Sequence, residues 1–186
     1  MSFSLVLLAA GNSSRFKSNL AKPYHKIGGK TLIEICIKKA IKFKQIKKII
    51  LVHNKKDLRQ IKDLKLKNIK LIKGGTTRQA STFNALRYLK KNSNISKVLI
   101  HDAARPNFSL KLMGTIIHSM KKNKSVIPTI KINDAIKQKF ESGKYEYIVG
   151  KNRNDLFLTQ TPQAFMFNEI FNLHKNSPNK YHDNDI

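Results

Sequence analysis

The stretch LVLLAAGNSSRF, residues 5–16, runs from an apolar segment directly into a turn of small residues that closes on Arg15. Ala9, Ala10 and Gly11 have so little side-chain bulk that a ligand can approach their backbone. The amides of such a turn can point at anionic oxygens, and Arg15 adds a fixed positive fork. A little further on, Lys22 stands before Pro23, whose ring fixes the local backbone and with it the direction of the lysine. Beside the turn, Lys22 is a point charge for a phosphate; away from it, it would be one more of thirty-one lysines. In KGGTTRQAS, residues 73–81, Gly74 and Gly75 end an apolar run and Ser81 lies on the helix that follows. In IHDAARP, residues 100–106, Asp102 and Arg105 end another. An aspartate directly after a buried strand, at a site suited to anions, can hold Mg²⁺ directly or through water, and the same position equally suits a turn or helix cap.

The elements that must position these residues are legible as an alternation. Apolar, β-prone runs recur at Phe3–Ala9, Ile49–His53, Ile69–Ile72, Val98–His101 and Ser125–Ile130, with helical patterns between them. The first helix opens on TLIE, where Thr31 can cap and Glu34 reach back, and places Leu32, Ile33, Cys36, Ile37, Ala40 and Ile41 on one face. A second, Arg78–Lys91, buries Ala80, Phe83 or Asn84, Leu86 and Leu89. A third follows Ser109 with Leu112, Ile116, Ile117 and Met120. Strands that are apolar throughout, alternating with helices, predict a mostly parallel sheet covered on both faces. In such a sheet ligands bind beyond the carboxyl ends of the strands, where all the motifs above fall.

The alternation breaks after Asn133. DAIKQKFESGKYEYIVGKN, residues 134–152, reads as two strands around the turn Glu141-Ser142-Gly143-Lys144, a polar hairpin that is either a solvated surface arm or a dimerisation element. Two nucleotide-binding patterns are excluded. No G-x-G-x-x-G occurs, and GGKT at 28–31 fails as a P-loop because Tyr24 stands where its leading glycine belongs, so Gly28 and Gly29 read as a turn.

Composition bounds the rest. A chain of 186 residues is most simply one domain, 1–186, able to bury a core without disulfides or a structural metal. Its longest apolar run, Leu5–Ala10, is too short for a bilayer, and the N-terminus lacks the basic flank and cleavage site of a secretory signal. A soluble, cytoplasmic protein with no membrane partner is expected. The single cysteine, Cys36 between Ile35 and Ile37, reads as core. Thirty-seven basic against eleven acidic side chains, a formal +26, would by themselves suggest nucleic acid. The six arginines are scattered, however, and no arginine–aromatic platform emerges, so the lysines read as a solvated surface and no nucleic-acid partner is expected.

Taken in order and spacing, LLAAGNSSRF, KPY, GGTTRQAS, HDAARP and TQTPQAF resemble the 2-C-methyl-D-erythritol 4-phosphate cytidylyltransferase family over nearly the whole chain. The resemblance implies a Rossmann-like, doubly wound α/β fold of the nucleotide-diphospho-sugar transferase type with a protruding β-hairpin arm. It implies an enzyme that joins CTP to a polyol phosphate, methylerythritol phosphate, with release of pyrophosphate in non-mevalonate isoprenoid synthesis. Carried over by position, Arg15 and Lys22 match the basic pair that stabilises the transition state, and Ala9, Ala10, Gly11, Gly75 and Ser81 match the nucleotide pocket. Asp102 matches the aspartate near ribose and metal, Mg²⁺ or another divalent cation. Arg105 and Arg153 match arginines on the acceptor side, and Asp183 the first aspartate of a TDD segment. The nucleophile is already an anion, so His25 and His101 read as structural. An arm-mediated homodimer is also implied.

Departures from the pattern fall at Ser13, where a second glycine is usual, at Thr76, where an acidic residue is common, and at Ala135, where a threonine is expected. The chain stops soon after Asp183, where the pattern continues through a strand and helix, so the expectation is a C-terminally truncated enzyme or one half of a fusion with the cyclase of the same pathway. Ribitol 5-phosphate as acceptor, or a basic nucleic-acid-binding module, are the rival readings.

Overall fold

The computed structural model describes residues 2–11, 18, 20–64, 69–142 and 145–176. Arg15, Ser13, Asp183 and the last two residues of the expected arm turn, Gly143 and Lys144, lie outside them. In chain order the elements are β1 (Phe3–Leu8), a short ribbon of β2 (Lys26–Ile27) and β3 (Lys30–Thr31), α1 (Leu32–Ala40), β4 (Ile46–His53), α2 (Leu58–Asp63), β5 (Ile69–Lys73), α3 (Arg78–Asn92), β6 (Lys97–Asp102) and α4 (Leu110–Ser119). Then come β7 (Ser125–Val126), β8 (Thr129–Lys131), β9 (Ile136–Ser142), β10 (Tyr145–Lys151), β11 (Phe157–Thr159), β12 (Gln163–Met166) and α5 (Phe167–Asn176).

The main sheet has the order β5-β4-β1-β6-β12-β7. β1, β4, β5 and β6 run parallel, and β12 is antiparallel to both β6 and β7. Because side chains alternate along a strand, the two faces separate cleanly. Phe3, Leu5 and Leu7 of β1, Ile49 and Leu51 of β4 and Leu99 of β6 join one core with Ile33, Cys36 and Ala40 of α1 and Met113, Ile116 and Ile117 of α4. Val6, Ile50, Val52, Val98 and Ile100 join the other with Ala85, Leu86 and Leu89 of α3 and Ile170 of α5. The expected α/β sheet covered on both sides is what forms, and among the described residues no helix is long and apolar enough to cross a membrane.

Local chemistry explains the boundaries. Thr31 accepts from the Glu34 amide at 3.2 Å and the Glu34 carboxylate accepts from the Thr31 amide at 2.8 Å, a complete capping box that starts α1. Gly28 and Gly29 take φ of 55° and 76°, the left-handed region that favours glycine, and turn β2 into β3. Thr77 and Ser109 cap α3 and α4. Three details differ from the sequence expectation. Ile41 is 64% exposed because it is the C-cap residue past the last buried turn of α1. On α3 it is Ala85 that is buried with Leu86 and Leu89, while Ala80 is half-buried and turns toward Gly75. The run 125–130 divides into β7 and β8 around Pro128, which cannot donate to a ladder.

The expected hairpin forms from β9 and β10, with Ile136 opposite Lys151 and Ser142 opposite Tyr145, but Glu141 and Ser142, read from the sequence as turn residues, belong to β9 and pair with Glu146 and Tyr145. It stands on a second ribbon, β8 against β11, so the excursion spans 129–159 rather than 134–152 alone.

Candidate functional site

Strand register brings the motifs to one edge. Leu8 of β1 lies abreast of Val52 of β4 and Asp102 of β6. The ladder continues one step past the strand ends. The Ala9 amide donates to the Val52 carbonyl (2.8 Å), the Ala103 amide to the Leu8 carbonyl (3.0 Å) and the Gly74 amide to the His53 carbonyl (2.8 Å). Three loops therefore leave the sheet with their first residues fixed by backbone bonds.

The first turn and the double-glycine loop touch. A Cβ built on Gly74 would lie 2.3 Å from the Cβ of Ala10 and 3.0 Å from Oγ of Ser81, and one on Gly75 would lie 2.5 Å from the Cβ of Ala80. These glycines are required by close approach, since no L side chain fits between the turn and α3. The Gly75 amide donates to Ser81 Oγ at 3.1 Å, which ties the loop to the first turn of α3. Ala9 is buried, Ala10 half-buried and Gly11 exposed, so the turn emerges from the core into solvent just where a ligand could meet its backbone.

Beside it, Asp102 is held between two arginines. Its Oδ1 accepts from Nε and Nη2 of Arg78 at 3.2 and 3.1 Å, and Oδ2 pairs with Nε of Arg105 at 3.1 Å. Arg105 also donates from Nη1 to Oε1 of Gln160 (2.9 Å), and the Asp102 amide donates to Oγ1 of Thr161 (3.4 Å). Two guanidinium groups on one carboxylate leave a surplus positive charge at the loop cluster, which suits a polyanion. Among the described residues, no three His, Cys, Asp or Glu side chains gather into a cation cage.

Lys22 opens a 3-10 turn, Lys22–Tyr24, in which Pro23 and Tyr24 are buried and Lys22 is exposed. The Tyr24 amide donates to the Ala21 carbonyl (3.0 Å) and the His25 amide to the Lys22 carbonyl (3.2 Å), so the backbone that carries the ammonium is anchored from below. Burial keeps the Tyr24 phenol protonated. His25 Nε2 bonds the Leu20 carbonyl at 3.1 Å. His101 is fully buried, its ring edge against Phe108 at 4.7 Å and its Nε2 3.0 Å from the Arg105 carbonyl. Burial lowers its pKa to about 4; Asp102 and the carbonyl oppose the shift, while Arg105 and Arg78 add to it. A neutral, enclosed imidazole of this kind is a structural bond to the loop. Burial also pushes the Cys36 thiol up to about 12, consistent with a core residue.

Ala9, Ala10, Gly11, Gly75 and Arg105, in loops at the carboxyl edge, thus lie with Asp102 at the end of β6 and Ser81 on the first turn of α3. Arg153 lies on the arm, donating to the Asn133 carbonyl across its base. The sequence reading missed Arg78, although it sits inside GGTTRQAS, because nothing local says that it reaches Asp102 twenty-four residues on. It also missed Gln160 and Thr161, which arrive only because β12 runs antiparallel to β6.

Comparison with known proteins gives the chain its relatives. The pattern of the family described as IspD, 2-C-methyl-D-erythritol 4-phosphate cytidylyltransferase, matches residues 3–185. A bifunctional enzyme IspD/IspF of Pelagibacter ubique is 44% identical over 183 residues, 98% of this chain and 48% of that protein. A 2-C-methyl-D-erythritol 4-phosphate cytidylyltransferase of Clostridium beijerinckii is 36% identical over 177 residues, 92% of this chain and 76% of the relative. The crystal structure of 4-diphosphocytidyl-2C-methyl-D-erythritol synthase from Anaerococcus prevotii superposes with a TM-score of 0.79 at 34% identity, covering 99% of this chain and 79% of that one. The chain spans about half the length of the bifunctional relatives it matches.

Proposed function

Since this chain belongs to the 2-C-methyl-D-erythritol 4-phosphate cytidylyltransferase family, we propose that it transfers a cytidylyl group from CTP to methylerythritol phosphate. The observation that carries the reading is the meeting of the small-residue turn, the Gly74–Gly75 loop and the Arg78–Asp102–Arg105 cluster at one sheet edge.

In this reading an oxygen of the acceptor phosphate attacks the α-phosphorus of CTP. A new P–O bond forms, the bond to the bridging oxygen of the β-phosphate breaks, and pyrophosphate leaves with the electron pair. The nucleophile is already an anion, so no general base is needed, and catalysis reduces to positioning and charge neutralisation. Arg15 and Lys22 neutralise the charge that builds up on the reacting phosphates. Ala9, Ala10, Gly11, Gly75 and Ser81 receive the nucleotide against backbone, and Asp102 sits at the ribose and metal. Arg105, Arg153 and Asp183 serve the acceptor.

A divalent cation fits this donor set. Mg²⁺ bound with a triphosphate needs only one or two carboxylates, and Asp102 would be the carboxylate at the loop cluster, with Arg78 or Arg105 giving up one of its oxygens to the cation. When bound it would supply charge neutralisation on the triphosphate. We further propose that the chain acts in the cytoplasm as a homodimer through its arm. Support comes from Ile130, Phe157 and Leu158 at the arm base, exposed by 53, 50 and 52%, an apolar surface that a second copy could cover.

The test is pyrophosphate release by the full-length protein from CTP and methylerythritol phosphate with Mg²⁺. Equal turnover with ribitol 5-phosphate would reassign the acceptor, and none with either, alongside salt-sensitive DNA binding, would replace the reading by the nucleic-acid one.

A further inference from the structure

The loop that follows β6 carries Asp102 and Arg105, and its backbone carbonyls are held by side chains from outside the loop. Lys39, in the last turn of α1, donates from Nζ to the carbonyls of Pro106 (2.7 Å) and Phe108 (2.8 Å). Its ammonium also lies 5.1 Å from the centre of the Phe108 ring. One turn earlier on the same helix, Cys36 Sγ donates to the Ala103 carbonyl at 3.7 Å. His101 holds the Arg105 carbonyl from within the core. A cation in the last turn of a helix ordinarily complements that helix's own carbonyls. Lys39 instead spends two of its three donors on another element, and it is half-buried, unlike exposed Lys38 beside it.

We propose that Lys39 is a positioning residue: a two-carbonyl clamp that fixes the 103–108 loop and so aims the Arg105 guanidinium at the acceptor phosphate. The acceptor assignment rests on the function proposed above; the clamp itself does not. The connection is short. Arg105 is next to Pro106, whose carbonyl is one of the two that Lys39 holds, and the Arg105 side chain is already shared between Asp102 and Gln160. Charge-assisted bonds to two carbonyls of one short loop remove most of its freedom, and a binding group already held in its bound geometry loses less free energy to ordering when the ligand arrives, which appears in KM rather than kcat. α1 also begins directly after the ribbon that follows the Lys22 turn, its Leu32 amide donating to the His25 carbonyl (3.1 Å), so one helix is bonded at its start to the segment that carries Lys22 and at its end to the loop that carries Arg105.

The experiment compares Lys39→Met, which keeps the aliphatic stem and loses every donor, with Lys39→Arg, which keeps a fork able to reach two carbonyls. Both are made in the full-length protein. For Lys39→Met, KM for methylerythritol phosphate should rise by about tenfold, while KM for CTP and kcat stay within about twofold, and Lys39→Arg should recover most of the loss. Amide hydrogen exchange read in parallel should show faster exchange at Ala103 and Arg105 in Lys39→Met, with β1 and β4 unchanged. Unchanged exchange in the loop would overturn the clamp. Faster exchange with an unaltered acceptor KM, or an equal rise in both KM values, would overturn the positioning role. Absence of turnover in the parent protein would instead count against the proposed function, and exchange would still decide the clamp.

Discussion

Replacing Gly74 by alanine tests the contact on which the whole site is built. The added Cβ would stand 2.3 Å from the Cβ of Ala10 and 3.0 Å from Ser81 Oγ. Carbon atoms in contact sit at about 3.5–4.0 Å, so the turn or the loop must retreat by about 1.5 Å. The Ser81 hydroxyl can rotate away, but Ala10 cannot, because its Cβ is fixed by the backbone and the preceding Ala9 is bonded to β4. Overpacking of this size costs about 1–3 kcal/mol, or about 2–4 °C of Tm per kcal/mol in a domain of this length. Under the proposed function this backbone receives the nucleotide, and displacing it by more than an ångström should lower kcat/KM about a hundredfold. Pyrophosphate release and thermal melting read the two effects. The decisive variant is Gly74→Ala combined with Ala10→Gly, which removes the opposing methyl and should recover most of both losses. If the double variant is as impaired as Gly74→Ala, or if Gly74→Ala behaves like the parent, then the two loops do not meet as described.

Lys22→Ala and Arg15→Ala should each lower kcat by about a hundredfold or more with smaller changes in CTP affinity, whereas Arg59→Ala, a helix-surface control, should change neither; three alike would remove the turn from the site. Thr31→Ala removes the capping box of α1 and should cost about 1 kcal/mol by chemical denaturation, with Thr31→Ser recovering most of it. His101 has a folded-state pKa depressed to about 4 from an ordinary 6.5, so its burial destabilises the fold progressively as pH falls from about 6.5 to about 4. The loss approaches about 3 kcal/mol, is absent above that window and is constant below it. His101→Gln should therefore flatten this part of the parent's acid limb, and identical limbs would contradict the assignment. Replacing Ile136–Val149 by a short Gly-Ser turn should shift sedimentation of the full-length protein from dimer to monomer; two monomers with equal turnover would dismiss the arm as a pairing element.

What could be read from the sequence follows the range of the forces involved. The capping box at Thr31–Glu34, the glycine turn at 28–29, the apolar strands and the existence of the hairpin are set by neighbours within a few residues, and they form as their residue types require. The weak α2 and the antiparallel β12 were not legible. α2 is only six residues long, and the apolar part of β12, Ala164–Phe165–Met166, becomes a strand only because β6 and β7 leave a slot between them. The same distinction runs through the site. Backbone-lined features such as the small-residue turn announce themselves by composition. The partners that complete it, Arg78 on Asp102, Gln160 on Arg105 and Lys39 on Pro106 and Phe108, are ordinary polar residues made specific by tertiary placement.

The arm leaves and returns at a single point. Pro128 precedes it, Gln160 follows it, and the Gln160 amide donates to the Pro128 carbonyl at 2.8 Å, so the two feet of the excursion are joined by a hydrogen bond. Everything between them pairs with itself, β8 with β11 and β9 with β10, rather than with the main sheet. The excursion is therefore topologically a module plugged into a socket. Its length, charge or partner surface can be exchanged without altering the register of any strand that carries the small-residue turn. The socket is not inert, because the same Gln160 that closes it also accepts from Arg105. A change in what the arm docks against would thus be felt first at Arg105 and last at the Gly74–Gly75 loop, which under the proposed function would let the acceptor phosphate change while the nucleotide stays the same.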